Sequence, residues 1–355
     1  MDLQQTIRHN CDISDARDNG IYSLCTLVLK LRNLYKWEQG LEPWDEPDSK
    51  VLLDWIDAKE NYWEEIAGED LAPLPMDGSS FDPFDISKIN NKFRGQNLYY
   101  GAGYGRSLKS IFFLAEIREE KTANGRPVLI LGKEQTRELS APFALLQDGV
   151  IIIRREPLRF FIWDQVQEVR TASRLPLRFA LECHGVPSGT ELNQQAFKKN
   201  LDRIVDGEIP VFIHHEIGEL REEALASKTA KKLISAYPDS AIELTVRAVK
   251  DILADTNPEG MLGYIINEQR EASLGFYLGF LDGMRKLLFP EIVEAFKGFR
   301  DDRDWRKIEL ARDHGRAANL RRAKQLKAAA GSFDRGNSKA VKARIERDIL
   351  APLGL

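Results

Sequence analysis

The apolar positions of residues 1–70 recur at helical spacing. Ile21, Leu24, Cys25, Val28, Leu31 and Leu34 keep to one helix face, with Asp12 or Ser14 as its N-cap and Gly40 and Pro43 as its stop. Ser49 opens a second helix through Ile66, with Leu52, Ile56, Trp63 and Ile66 turned inward. Residues 71–94 lose this period. Pro73, Pro75, Asp77-Gly78 and Pro83 read as a connector. The period then changes to that of strands. Ile111–Glu120 and Val128–Leu131 flank Asn124-Gly125, and Phe143–Gln147 and Val150–Arg154 flank Asp148-Gly149. Both dipeptides favour the two left-handed residues of a tight hairpin. Leu158–Trp163 reads as a further strand, and Arg178–Cys183 as a strand or a short helix. From residue 188 onward the pattern is helical. Pro210 suits a first helical turn, Ser240 starts a helix to Asp255, Asn257-Pro258 opens a long helix to Leu288, and residues 302–330 and 338–350 form terminal helices.

The pattern predicts an α+β protein, mostly helical, with a small antiparallel β meander between two helical parts. Its parts are an aromatic-rich helical part at 1–70, a connector at 71–94, the meander at 95–187 and a helical domain at 188–355 with a basic tail. Trp37, Trp44, Trp55 and Trp63 lie close enough in sequence to build one aromatic core.

Composition narrows the setting. Hydrophobic residues make up 43% of 355, ordinary for a chain that buries its own core. No run approaches the roughly 18 apolar residues of a membrane span. The polar start Met1-Asp2-Leu3-Gln4-Gln5 lacks a secretory pattern. Three cysteines are too few, and odd in number, for a disulfide framework. These readings point to the cytoplasm, without a membrane partner. The net charge of −4 conceals a basic segment, 312–347, with eleven Lys/Arg against three Asp/Glu. That segment suits a macromolecular partner, a nucleic acid or a protein, or docking on the acidic remainder. With Phe333 as its one aromatic residue, it does not suggest base stacking.

Three constellations carry candidate chemistry. The first is a divalent metal site of Mn, Fe or Zn. His215 and Glu219 share a helix face at i, i+4, and Glu268 and Glu271 share another at i, i+3 on the long helix. Inward imidazole and carboxylates from facing helices are how bundle metal sites are built. The competing reading is a solvated acidic face, because the Glu-x-x-His pairs of di-iron bundles are absent. Gly275, Gly279 and Gly283 on the same helix form a seam, for a close helix neighbour, a ligand or a break. The second is Tyr99–Lys109, where Gly101, Gly103, Gly105, Arg106 and Lys109 offer backbone N–H groups and positive charge to a phosphate. Its glycines precede a strand, so it matches no dinucleotide or Walker fingerprint, and a flexible connector is the alternative. The third is a nucleophilic Cys11 near a helix N-terminus, with His9 beside it. Cys25 reads as a buried structural thiol, and Cys183-His184 is a second pair without a motif. Hydrolase, metalloprotease, EF-hand and kinase signatures are absent.

The stretch Ile7-Arg8-His9-Asn10-Cys11-Asp12-Ile13-Ser14-Asp15-Ala16-Arg17, with Tyr22-Ser23-Leu24-Cys25 and Leu34-Tyr35-Lys36-Trp37-Glu38, resembles the opening of an uncharacterised family of bacterial proteins. The resemblance implies a bacterial, cytosolic setting and transfers no activity or catalytic residue. The sequence therefore leaves two classes of function open. One is an enzyme or cofactor binder, with its site between the glycine segment and the helical domain. The other is a non-catalytic adaptor working through its basic terminal helices.

Overall fold

The computed structural model describes residues 2–105, 108–167, 171–187, 192–333 and 336–355. The chain forms two compact units, Met1–Gln167 and Glu168–Leu355, each described by itself. The protein is α+β and mostly helical.

In the first unit, helix α1 runs Leu3–Asp18, ten residues ahead of its expected start. Asp2 caps it, accepting from Gln5 N while the Gln5 side chain accepts from Asp2 N. Asp12 and Ser14, read as caps, lie inside it and are buried. A 3-10 turn, Asn19–Ile21, leads into α2, Leu24–Glu38, capped by Ser23. The predicted stripe therefore spans two elements. Its N-terminal half stays outside, so Cys25 is exposed rather than a buried thiol. Helix α3, Ser49–Ile66, buries Ile56, Trp63 and Ile66 as expected. Trp37 and Trp55 pack on the same cluster, whereas Trp44 packs edge-on against Trp163.

The expected connector contains a hairpin, β1 Leu74–Met76 with β2 Ser79–Phe81, and α4, Ile86–Lys92. A five-stranded sheet follows: β3 Leu98–Tyr104, β4 Ser110–Ala123, β5 Arg126–Arg137, β6 Ala144–Gln147 and β7 Val150–Arg154. Both hairpin signals hold, with positive φ at Asn124, Gly125, Asp148 and Gly149. The spatial order is β3-β4-β5-β7-β6, and β5 pairs with β7 in parallel. The sheet is thus mixed, where the pattern predicted an antiparallel meander. Local turns fix each hairpin, but the pairing of one hairpin with the next is a tertiary choice. Leu158–Trp163 belongs to a helix, α5, Arg155–Gln167, which buries Leu158, Ile162, Trp163 and Val166 at helical spacing. A short apolar run does not distinguish a buried strand from a buried helix.

The second unit is helical: α6 Thr171–Cys183, α7 Gln194–Arg221, α8 Ser227–Ala236, α9 Ala241–Thr256, α10 Met261–Asn267, α11 Glu271–Phe280, α12 Gly283–Leu288, α13 Pro290–Asp302, α14 Trp305–Gly331 and α15 Ser338–Ile345, which widens into a π turn at Glu346–Leu350. Pro210 lies within α7 rather than at its start. Ser240 caps α9 through Glu243 N. The predicted long helix is three short ones. Gln269, at φ 49°, breaks it between α10 and α11, and Asp282 caps α12. The glycine seam is a packing device. A Cβ at Gly275 would stand 2.8 Å from the Pro176 carbonyl oxygen, and one at Gly279 would stand 2.4 Å from Leu177, both on α6. Gly283 meets nothing within 4 Å.

The basic tail is part of this core. Ala323 and Leu326 of α14 are fully buried. Arg316 pairs with Glu222 at 2.7 Å, and Arg322 donates to the Leu288 carbonyl. Arg321, Lys324 and Lys327 form its exposed edge. Among the described residues, no helix is long and apolar enough to cross a membrane.

Candidate metal centre

Helices α7 and α9 approach closely because Gly218 carries no side chain. A Cβ there would lie 2.1 Å from the Ala254 carbonyl oxygen. One turn earlier on α7 is His215, and the next residue on α9 is Asp255. Their contact is short, with His215 Nδ1 2.7 Å from Asp255 Oδ1. The other ring nitrogen, Nε2, is 3.8 Å from Glu219 Oε1 on the same helix face. Asp251 lies one turn before Asp255. One donor atom from each of His215, Glu219 and Asp251 falls within a 4.8 Å group. Lys250 closes one side, with Nζ 2.6 Å from Glu219 Oε2.

The electrostatics follow from this crowding. Burial works against the imidazolium, but the Asp255, Glu216 and Glu219 carboxylates outweigh it and push His215 up to about 10. Burial raises Asp251 despite Arg285 and His215, and raises Glu216 to about 7 despite His215. Glu219 is lowered, because Lys250 and His215 together overcome its burial. Burial, then Asp255, holds the Tyr277 phenol well up. Asp255 Oδ2 and Tyr277 Oη are both buried, and the Tyr277 hydroxyl has the Asp255 carboxylate as its neighbour.

This arrangement suits a cation. A carboxylate on Nδ1 orients a metal-binding histidine and presents its Nε2 lone pair. Glu219 and Asp251 add hard oxygen donors, and one imidazole with two carboxylates suits Mn, Fe or Zn. A metal at Nε2 displaces one proton, so binding releases protons and strengthens as pH rises.

Sequence reasoning identified His215 and Glu219, which the structure brings together. Glu268 and Glu271 do not join them. Glu268 is exposed at the end of α10, and Glu271 begins α11 with its carboxylate 3.2 Å from Arg303 Nε. The left-handed Gln269 turns both out of a common helix face. They line a separate hollow with Cys183, whose Sγ is 3.9 Å from Glu271 Oε2. His184 contacts Glu208 Oε1 at 3.2 Å, and His214 stacks on Tyr264, so neither adds a ligand. Asp251, Asp255 and Lys250 were missed. Their signal was present as two aspartates at i, i+4 on a helix otherwise rich in buried Ile, Val and Leu.

The other two constellations resolve into structure. Gly101 and Gly103 lie on strand β3, not in a loop. Gly101 faces Phe113, whose ring would stand 2.0 Å from a Cβ. Gly105 is closed off by Ile111, and Arg106 lies outside the described residues. Lys109 is buried, with Nζ 2.7 Å from Asp15 Oδ1, so it presents no charge to a phosphate. Cys11 is 2% exposed and donates its S–H to the Phe112 carbonyl at 3.2 Å. Burial, then Glu138 and Asp15, pushes its thiol well up, the reverse of an activated nucleophile. His9 is held between the Tyr62 hydroxyl at 3.1 Å and Glu69 at 2.9 Å.

Fold and site together define a two-unit α+β protein with a mixed histidine–carboxylate cluster in its helical unit. The chain belongs to a family of unknown function, DUF6866. Residues 2–154 match its N-terminal domain and residues 159–348 its C-terminal domain. No curated protein and no solved structure matches the chain.

Proposed function

We propose that the second unit binds one divalent metal ion through His215 Nε2, Glu219 and Asp251, and that the protein is a cytoplasmic, bacterial enzyme or cofactor binder built on that centre. The observation that carries this reading is the 2.7 Å contact of His215 Nδ1 with Asp255, which leaves Nε2 beside Glu219, with Asp251 completing a group of donor atoms within 4.8 Å of one another. Asp255 acts as the orienting partner, and Lys250 offsets the charge of Glu219. The metal would supply Lewis acidity to a bound water or a redox centre for substrate. The three free cysteines, two of them exposed, fit a reducing compartment. The test is competition for Zn(II) or Mn(II) against a chromophoric chelator. Asp251→Asn should weaken binding at least about tenfold, the scale of one lost ligand or outer-shell partner, while Glu268→Ala should leave it unchanged. Equal loss in both variants, or in neither, rejects the assignment.

A second reading, an adaptor working through the basic helices, is supported by the exposed edge of Arg321, Lys324 and Lys327 on α14. Removing the tail would unfold the unit, because Ala323 and Leu326 are core. Its test is charge reversal at those three positions, with loss of a salt-sensitive partner expected if the reading holds.

A further inference from the structure

The first unit contains a cavity of about 620 Å³ that lies outside the metal cluster. Trp37 and Phe160 line it, together with Glu134 of β5 and Glu156 of α5. Glu134 is 3% exposed. Its Oε1 accepts from Arg154 Nε at 2.6 Å, while its Oε2 accepts no hydrogen bond and stands 3.7 Å from Arg137 Nη1. Glu156 Oε2 accepts from the Glu134 backbone N–H at 2.8 Å. Burial, then the neighbouring Glu134 carboxylate, raises Glu156.

The charge balance sets the ligand's sign. Arg8 is committed to Glu38 at 2.7 Å and Arg159 to Glu42 at 2.8 Å. Behind the cavity, Arg154 lies between Glu134 and Glu138, and Arg137 is stacked between the rings of Trp37 and Phe160, 4.8 and 5.2 Å from their centroids. Counted over the whole lining, Glu38, Glu42, Glu116, Glu134 and Glu156 face Arg8, Lys133 and Arg159, and with Glu138, Arg137 and Arg154 behind them the carboxylates outnumber the cations by one. The group as a whole favours a positive guest. Trp37 and Phe160 line the cavity and offer ring surface to the apolar stem of a guest. Buried atoms of both signs complete no hydrogen bond here, Glu134 Oε2 and Glu138 Oε2 beside Arg137 Nε, Arg137 Nη1 and Arg154 Nη2, and the carboxylate excess sets the sign of the guest.

We propose that this cavity binds a small organic cation, an amine or guanidine, with its charged head at Glu134 and Glu156 and its apolar stem against Trp37 and Phe160. The site is independent of the metal centre and is tested in the presence of chelator. The probe is agmatine, titrated into the full chain by isothermal calorimetry, with succinate as the opposite-charge control. The expected result is saturable one-site binding of agmatine and none of succinate. Glu156→Gln keeps the acceptor for the Glu134 N–H and removes the charge, so it should weaken agmatine by about tenfold or more, the scale of a hydrogen bond to a charged group. Trp37→Leu should weaken it as well, and far-UV circular dichroism checks that each variant is folded. If Trp37→Leu unfolds, Glu156→Gln decides. No saturable agmatine binding, binding of succinate in its place, or undiminished binding in Glu156→Gln overturns the proposal.

Discussion

Gly218→Ala is the sharpest perturbation of the architecture that builds the metal cluster. The added Cβ would lie 2.1 Å from the Ala254 carbonyl oxygen, 2.8 Å from the Ala254 carbonyl carbon and 3.1 Å from Gly260 Cα. All three are backbone atoms, so no side-chain rotation relieves the clash. Ordinary contact begins near 3.4 Å, so α7 and α9 must separate by about 1.3 Å at this point. The same movement stretches the 2.7 Å bond between His215 and Asp255 to about 4 Å, beyond hydrogen-bond range. Overpacking costs about 1–3 kcal/mol. Alanine's better helix propensity returns about 1 kcal/mol. Leaving a buried Asp255 without its cation adds a cost toward the lower end of about 3–5 kcal/mol, since the His215 side chain is 21% exposed. The net loss is about 3 kcal/mol or more, a fall in urea midpoint of roughly 1–2 M for typical slopes. Urea unfolding followed by far-UV circular dichroism measures it, with Zn(II) affinity recorded on the same variant. Gly331→Ala is the control, because a Cβ there meets nothing within 4 Å, and it should be neutral or slightly stabilising. A Gly218→Ala protein within about 0.5 kcal/mol of wild type, with unchanged metal affinity, refutes the argument that this glycine sets the site.

The remaining predictions concern the first unit and the cysteines. Burial raises Asp15 to about 6 against the pull of Lys109. A carboxyl held above its ordinary value of 3.8 stabilises the fold fully below that pH. The contribution is lost as pH rises through 6, about 3 kcal/mol in all. Urea midpoints between pH 4 and 7 should therefore vary less in Asp15→Asn, which cannot ionise. A wild-type and a variant curve of equal slope would contradict this. Iodoacetamide should modify native Cys25 first and Cys183 more slowly, since burial and then Glu271 raise the Cys183 thiol. Cys11 should react only after unfolding, and mass spectrometry showing Cys11 modified as fast as Cys25 would count against its burial. Glu134→Leu should destabilise by about 3–5 kcal/mol, because Arg154 is fully buried and loses its closest carboxylate. A loss below about 1 kcal/mol in thermal or urea unfolding would argue against that ion pair.

What the sequence carried was local. Ser240 as a cap and the Asn124-Gly125 and Asp148-Gly149 turns are decided by a few neighbouring atoms, and each is where it was expected. The α+β class and the family resemblance were legible for the same reason. The misses are tertiary. Whether β7 would lie parallel to β5 depends on partners distant in sequence. The Tyr99–Gly105 segment has loop composition, yet it contains a strand whose Gly101 makes room for Phe113 across the ladder. His215 and Glu219 were legible as an i, i+4 pair, but Asp251 and Asp255 join them only because Gly218 lets α9 come close. Glu268 and Glu271 matched the spacing rule of a continuous helix, and the left-handed Gln269 removes that helix. The glycines at 275 and 279 marked a close approach, while the partner, α6, was not readable from the spacing.

The central claim is tested most directly by elemental analysis of untagged protein purified without chelator, beside His215→Ala, Asp251→Asn and Glu271→Gln. The account predicts close to one divalent ion per wild-type chain, lost in His215→Ala and Asp251→Asn and retained in Glu271→Gln, whose carboxylate belongs to Arg303. Wild-type protein without metal even after incubation with Mn(II), Fe(II) or Zn(II), or metal lost only in Glu271→Gln, would contradict it.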